Sequence, residues 1–555
     1  MASKKTKLSI IPLGGLGEIG KNMTAVECGG DIVVVDSGLA FPDEEMFGVD
    51  LVIPDISYLV ENRDRVLGIL LTHGHEDHVG SLPYVLKSLP VPVFGTRLTL
   101  GLVQSKLQEH GLVLHDASKA VRRGETVRLG CIQAEFFRVN HSIPDACGIA
   151  LHTPAGVAVF TGDFKFDQTP VDGEVADIAR LAELGDQGVL ALFSDSTNAE
   201  RPGYTGSESS VGRALAEVIG AAKQRVILAT FASNVHRIQQ IITAAHQHGR
   251  KVAVVGRSME NVVGVATDLG YLKIPDGTLV GIDDMRRFPA EQMVIISTGS
   301  QGEPMSALTR MSTGEHRKVE IVPGDTVVFS ASPIPGNEKA VARTVDNLYR
   351  RGAQVVYDRA AGVHVSGHGS QEEQKLMLNL VRPKYFIPAH GEYRHLILHA
   401  RTAESLGFPK ENIILAENGS VIEVSAQGAA ITGKVTAGKV LVDGLGVGDV
   451  GNIVLRDRKQ LAEDGVIVVM VAVDRDSNLV VSGPDLVSRG FVYVRESERL
   501  MEEAKVRIRE TLHRSEEKRL TDWSSVKQSV RDVLGKFLYD RTRRRPMILP
   551  IVIEV

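Results

Sequence analysis

Six residues, His73-Gly74-His75-Glu76-Asp77-His78, bring three imidazoles together with carboxylates in one short stretch. Bunching such groups is costly unless a cation binds them, and neutral imidazole nitrogen with carboxylate oxygen suits zinc or manganese. The stretch follows an apolar strand-like run at 67–71 and precedes a helix-like segment at 79–89, so it reads as a strand-to-helix turn and not as a tag-like polar tract.

The elements around it are those of a soluble multidomain chain. At 555 residues the chain is too long for one core, and length alone suggests about three or four domains. Hydrophobic content of 43% and charged content of 24% are ordinary for a globular protein. The net charge of -5 excludes bulk basicity as a route to nucleic acid, so a polyanion must meet a local basic channel or a metal. Three cysteines, Cys28, Cys131 and Cys147, fit a reducing compartment without a disulfide framework. Cys147 lies near His141 in sequence but reads as a buried inert thiol. The opening MASKKTKLSIIP has no long apolar run, and no segment reaches a membrane span, so the expected location is cytoplasmic, without membrane association.

Gly15, Gly17 and Gly20 match G-x-G-x-x-G, which invites a dinucleotide reading. That motif needs a helix next, whereas 23–27 and 31–36 read as a hairpin, so the glycines are expected to form a tight turn lining a site. Short strands are expected over 91–94, 126–129, 132–138, 149–153 and 157–161, mixed with helices. From 208 the texture changes to regular alternation of helices and strands, which predicts a separate parallel sheet. Residues 426–439 read as a Gly-bearing connector. Beyond it come strands over 465–473, 478–482, 490–495 and 547–555, with helices near 496–513 and 523–540.

Three further residues offer ligands. His141, Asp163 and His390 each follow an expected strand in a short polar loop, where active-site groups collect on α/β scaffolds. Taken with the six-residue cluster, they favour a metal centre. Together the segments GGLGEIGKN, FPDEEMFGVDLVIPD, THGHEDHVG, HSIPD, TGDFKFD, SDSTN, TFASNVHR, GRSME, STGSQGEP, ASPIPGNE, HVSGHGSQEEQK, PAHGEYRH and RRRPMILPIVIEV resemble bacterial ribonuclease J, in the β-CASP branch of the metallo-β-lactamase superfamily, nearly from end to end.

The resemblance implies an α/β fold: a metallo-β-lactamase αββα sandwich with an inserted β-CASP α/β domain and a small C-terminal α+β domain. Its implied boundaries are 1–207 and 370–425 for the two parts of the metallo-β-lactamase domain, 208–369 for the insert, 426–450 for a linker and 451–555 for an oligomerising C-terminal domain. It implies two divalent ions per subunit, zinc with manganese or magnesium as alternatives. His73, His75 and His141 would hold one, Asp77, His78 and His390 the other, and Asp163 would bridge them; Glu76 is not expected to ligate. A water activated between the ions would attack the phosphodiester. His368 matches the histidine that protonates the leaving oxygen, and Asp195 an acidic residue that orients a histidine beside the metals. His390 resembles the RNA-cleaving branch, where DNA-directed members carry valine.

Two loops are expected to hold a nucleotide phosphate: Ser233, Asn234 and Val235 at the start of one helix, and His364, Val365, Ser366, Gly367 and His368 before another. A structural calcium is a further expectation at Gly48, Asp50 and Asp443, since hard oxygen donors suit it. The basic run Arg541-Thr542-Arg543-Arg544-Arg545 is read either as an RNA contact or as a cap on a subunit interface, with a solvated loop as the plain alternative. The implied activity is 5′-to-3′ exonucleolytic and endonucleolytic cleavage of RNA in mRNA decay and rRNA maturation, by a homodimer or homotetramer that can associate with other RNA-decay enzymes. The rivals are a small-molecule metallohydrolase, for which the large insert has no use, and a silent RNA-binding partner, which would be free to lose a ligand.

Overall fold

The computed structural model describes residues 7–555 except 44, 304, 334–336, 358–360, 476, 478, 493–497 and 518–522. The middle of ASPIPGNE and half of the strand expected over 490–495 therefore lie outside the described residues. The described chain divides into two units, one comprising 1–41 and 51–440 and the other 42–50 and 441–555.

In the first unit, an eight-stranded sheet runs in the order Ala429–Lys434, Ser420–Val424, Leu8–Gly14, Met23–Cys28, Asp31–Val35, Val66–Leu70, Val93–Gly95, Lys119–Ala120. A six-stranded sheet runs Tyr385–Ala389, Val189–Asp195, Gly156–Phe160, Cys147–Thr153, Ile132–Arg138, Thr126–Leu129. Leu8, Ile10, Val26, Val33 and Val35 from the first pack against Ile132, Phe136, Ile149, Leu151 and Phe160 from the second. Helices cover the two outer faces, with Leu82, Val85 and Val103 on one and Leu181 and Met377 on the other. This is the αββα sandwich of the metallo-β-lactamase fold.

Between Val189–Asp195 and Tyr385–Ala389, which pair in parallel with Asp195 opposite Ala389, the chain builds a five-stranded parallel sheet. Its order is Lys251–Val255, Met293–Ser297, Val226–Ala229, Thr326–Phe329, Gln354–Val356. The three central strands are short apolar runs buried on both faces, as a helix-covered parallel sheet requires. The long excursion thus leaves the six-stranded sheet at the Asp195 end of one strand and rejoins it at Tyr385, the start of the neighbouring parallel strand, at the opposite end of the sheet.

The second unit is α+β. Val466–Val473 alternates buried and half-buried positions, pairs antiparallel with Val480–Arg489 and parallel with Met547–Glu554, and packs one face on helices Glu498–Glu517 and Trp523–Thr542.

Three local expectations differ from the structure. The helix expected over 79–89 is broken at Gly80–Ser81 into Glu76–Val79 and Leu82–Ser88, so Asp77 and His78 are helical. Part of the 426–450 connector is an edge strand, Ala429–Lys434, bonded to Ser420–Val424. Its side chains are almost all exposed, so its Thr, Gly and Lys content resembles a linker. Residues 42–50, assigned from sequence to the first domain, group with the C-terminal unit.

Candidate metal centre

The strand Val66–Leu70 delivers Thr72 and His73 to one end of the sandwich, and the short helix Glu76–Val79, entered from His75, places Asp77 and His78 beside them. The turn fits because Gly38 lacks a side chain: a Cβ there would lie 1.6 Å from the Asp77 carbonyl oxygen. His141 follows Ile132–Arg138, Asp163 follows Gly156–Phe160 and His390 follows Tyr385–Ala389. All seven expected ligands meet at that end.

They fall into two groups in which every donor atom lies within 4.8 Å of the others: His73, His75, His141 and Asp163, and Asp77, His78, Asp163 and His390. Asp163 belongs to both. Its Oδ2 is 3.6 Å from His73 Nε2 and 3.6 Å from His141 Nε2, while its Oδ1 is 3.2 Å from His78 Nε2. In the first group His141 Nε2 lies 3.1 Å from His75 Nδ1. In the second His390 Nε2 lies 3.2 Å from Asp77 Oδ2. Glu76 turns away to an ion pair with Lys106.

The donors fit divalent metal. His73 Nε2 is buried and has no hydrogen-bond partner, which costs about 1–3 kcal/mol unless a cation satisfies it. The ring nitrogens remote from the cluster are engaged: His73 Nδ1 with Thr72 Oγ1 at 3.0 Å, His78 Nδ1 with Asp36 Oδ2 at 2.8 Å, and His141 Nδ1 with the Gly367 carbonyl at 2.8 Å. Such partners fix each tautomer and leave the other nitrogen as a lone-pair donor. Gly367 can approach because a Cβ would lie 2.5 Å from His141 Cε1.

The two groups differ electrostatically. Burial, reinforced by neighbouring imidazoles, holds His73 and His141 well below their ordinary value, and burial takes His75 down to about 4. Burial also pulls on His78 and His390, but carboxylates override it. Asp163, Asp77 and Asp36 hold His78 well above its ordinary value, and Asp163, Asp195 and Asp77 do so for His390. Burial pushes Asp163 up, yet His390, His78 and His368 hold it well below the carboxylate range.

His368 stands beside the second group. Its Nδ1 is 2.8 Å from Asp195 Oδ2, and Asp195 Oδ1 is 3.2 Å from His390 Nδ1. Burial lowers the His368 pKa, but Asp195 and Asp163 outweigh it and leave it raised. The loop carrying His368 is pinned by Asn198, whose Nδ2 donates to Ser366 Oγ at 2.9 Å and to the His368 carbonyl at 2.7 Å. Thr205 Oγ1 donates to the same carbonyl at 2.7 Å.

Family models match along the chain: the metallo-beta-lactamase superfamily over 16–198, the ribonuclease J beta-CASP domain over 223–348, a Zn-dependent metallo-hydrolase RNA specificity domain over 353–415 and the ribonuclease J C-terminal domain over 453–555. The chain is 48% identical to ribonuclease J2 of Bacillus subtilis, with 100% of each chain covered. It is 44% identical to ribonuclease J 1 of Streptococcus pyogenes, over 99% of this chain and 98% of that one. The chain belongs to the ribonuclease J family. A solved structure of a protein of unknown function from Enterococcus faecalis shares the fold, with a TM-score of 0.55 at 16% identity over 75% of this chain and 100% of the other.

In this ribonuclease J chain the two loops expected to hold phosphate converge on one buried arginine. Asn234 caps the helix Val235–Gln247 by accepting the Arg237 backbone N–H, and the Arg237 guanidinium donates to the carbonyl of Val363, just before His364 and Val365. Ser233 precedes the cap, and Val235 is buried. On the other side, Glu373 takes the Ser370 N–H at the start of helix Gln371–Val381.

The glycine stretch at 14–20 is followed by the strand Met23–Cys28 and not by a helix. It buttresses the centre: Asn22 Nδ2 donates to the Asp77 carbonyl and lies 3.1 Å from His78 Nε2, and Leu16–Gly17 pairs with Gly391–Glu392 after His390. Cys147 donates to the Thr72 carbonyl and is held protonated by burial. At Gly48, Asp50 and Asp443, Asp50 Oδ2 accepts the Gly444 N–H at 2.8 Å, and Arg458 donates to Asp443 Oδ2 at 2.5 Å and to the Phe47 carbonyl at 2.8 Å. Part of that oxygen set is thus engaged by a cation of the chain itself.

Sequence reasoning missed Asp36, Thr72, Asn22, Thr197 and Asn198. Thr197 Oγ1 sits 2.7 Å from His390 Nδ1. Asp36 had a readable signal, a lone carboxylate ending the apolar strand Asp31–Val35. No described helix is long and apolar enough to cross a membrane.

Proposed function

We infer that this chain is a two-metal ribonuclease that removes nucleotides 5′ to 3′ from 5′-monophosphorylated RNA and also cuts internally, in RNA decay and maturation. The observation that carries the reading is the division of Asp163, one oxygen toward each donor group. Bound ions, zinc by the donor set with manganese or magnesium as alternatives, would polarise the scissile phosphate and lower the pKa of an attacking water.

The chain supplies the rest. His73, His75 and His141 would hold one ion, and Asp77, His78 and His390 the other. His368, kept protonated by Asp195, donates a proton from Nε2 to the leaving oxygen. Asp195 is the orienting group, since it also fixes His390. The 364–368 and 233–235 loops hold the phosphate of the terminal nucleotide and favour a monophosphate over a bulkier triphosphate. The Gly367 carbonyl on His141 makes the inserted part of the chain a component of the centre, which a small-molecule hydrolase does not need.

Subunits associate through the C-terminal unit, where Leu549, Ile551 and Ile553 leave one side of the strand Met547–Glu554 exposed and apolar. Sedimentation of a Leu549→Asp variant tests this; an unchanged assembly overturns it. The function itself is tested by decay of one labelled RNA carrying either a 5′-monophosphate or a 5′-triphosphate, with and without chelator. Faster decay of the monophosphate, abolished by chelation, is expected; equal rates or chelator-resistant cleavage would sink the mechanism.

A further inference from the structure

The basic run at 541–545 is not uniform in the folded chain. Arg541 is paired with Glu503 at 2.5 Å, and Arg544 Nη1 donates to the Phe491 carbonyl at 2.7 Å. Arg543 and Arg545 make no ion pair among the described residues. Instead both guanidinium groups sit over the ring of Tyr539, at 5.3 and 4.5 Å from its centroid.

This stack is held open by the fold. The helix Trp523–Thr542 ends there, Arg543 turns the chain with φ 58°, and the strand Met547–Glu554 begins four residues later. The Arg545 backbone is fastened to helix Asn452–Asp464: its N–H donates to Asp464 Oδ2 at 3.0 Å, and its carbonyl accepts from Gln460 at 3.0 Å. Arg489 lies at the same end of the sheet, since Val466 is opposite both Arg489 and Met547, and it too is exposed. Of the two carboxylates named here, Glu503 is paired with Arg541 and Asp464 accepts a backbone N–H, and neither forms an ion pair with Arg543 or Arg545 among the described residues.

We propose that Arg543 and Arg545, ordered on Tyr539 and flanked by Arg489, form a binding site for single-stranded RNA in the C-terminal unit, separate from the metal centre. Two adjacent unpaired guanidinium groups match consecutive phosphates, and their planes, already ordered by the tyrosine, stack on unpaired bases. In a chain of net charge -5 such a patch is a local device and not part of a general basic surface. The inference rests on RNA being the substrate of the metal centre.

The test is fluorescence anisotropy of a labelled 20-nucleotide single-stranded RNA with the full chain in chelator, over a salt series. Each charge lost from a single-strand contact flattens the log affinity against log salt slope by about 0.7, so the Arg543→Ala/Arg545→Ala pair should flatten it by about 1.4. The charge-dependent part of the affinity loss should be roughly 25-fold at 0.1 M salt and vanish toward 1 M, leaving the salt-independent loss of stacking. The Arg543→Lys/Arg545→Lys pair should keep the wild-type slope and lose affinity by a salt-independent factor, which separates charge from stacking. Hydrolysis of bis(p-nitrophenyl) phosphate by the metal-loaded chain should be unchanged in both variants. An unaltered slope and affinity in the alanine pair overturns the site, as does unaltered RNA binding with dissociation of subunits, which would make the patch a protein contact. A flattened slope in the alanine pair together with a metal-loaded wild-type chain that cleaves no RNA would leave the site standing and remove the ribonuclease reading instead.

Discussion

In one half of the metal centre, His73, His75 and His141 are held neutral by burial and by one another; in the other, His78 and His390 are held charged by Asp36, Asp77, Asp163 and Asp195. Both halves are equally buried and use the same donor chemistry. The difference is in what stands behind the imidazoles. His73 and His141 rest on a threonine hydroxyl and a backbone carbonyl, whereas His78 rests on a carboxylate and His390 on a carboxylate and a threonine. The first half can accept a dication without releasing a proton, while the second must give up protons first. Among the described residues, Asp163 is the one donor common to both groups.

The two halves meet most directly at Asp163. Asp163→Asn should strip both ions and lower RNA cleavage by more than about 10⁴-fold, given the several kcal/mol each ion contributes. Elemental analysis of the purified variant checks the cause. If one ion remains, the halves are independent sites and the bridging role is wrong.

A smaller loss, about 10²–10³-fold in kcat, is expected for His368→Ala with both ions still bound. The Asp195→Asn variant sharpens this. The Asp195 carboxylate raises the His368 pKa, so its loss should move the alkaline limb of the pH–rate profile to lower pH, because a general acid must be protonated to act. An alkaline limb that stays in place separates His368 from proton donation. Smaller again is Asp36→Asn, which removes the charged partner of His78 and should weaken metal binding in the second half by roughly 10- to 100-fold. Equilibrium dialysis should then show one tight and one weak ion, and equal weakening of both would erase the distinction between the halves.

The donor residues that cluster in both halves were legible as residue types in polar segments after apolar strands, and the glycine stretch was legible as a turn because no helical period follows it. The contrast between the halves was not. It depends on Asp36, thirty-six residues from the Thr72 backbone it also binds, and on the Gly367 carbonyl, whose position no side chain announces. Asn198 and Thr205 were invisible for the same reason: each acts on a backbone carbonyl at His368 that only the folded insert brings near. The alternating parallel strands of the insert were readable from their apolar runs, whereas Ala429–Lys434 was not, because an edge strand with exposed side chains carries no apolar alternation.

The smallest expected effect is the pH dependence of the metal-free chain, in which the two halves pull in opposite directions. His73, His75 and His141 have folded pKa values below the ordinary 6.5. Between those values and 6.5 the unfolded chain binds more protons than the native one, so stability rises with pH. His78 and His390 have folded values above 6.5. Their contribution is fully present below 6.5 and is lost as pH rises through the folded values. Thermal melting in chelator should therefore peak near pH 6.5 and fall by a few degrees on either side. Saturating zinc needs neutral imidazoles in both halves, so it should remove the decline above 6.5 and move the peak upward. A metal-free chain whose melting temperature keeps rising to pH 9 would mean that carboxylates do not hold the second half charged, and the asymmetry between the halves would then be one of geometry alone.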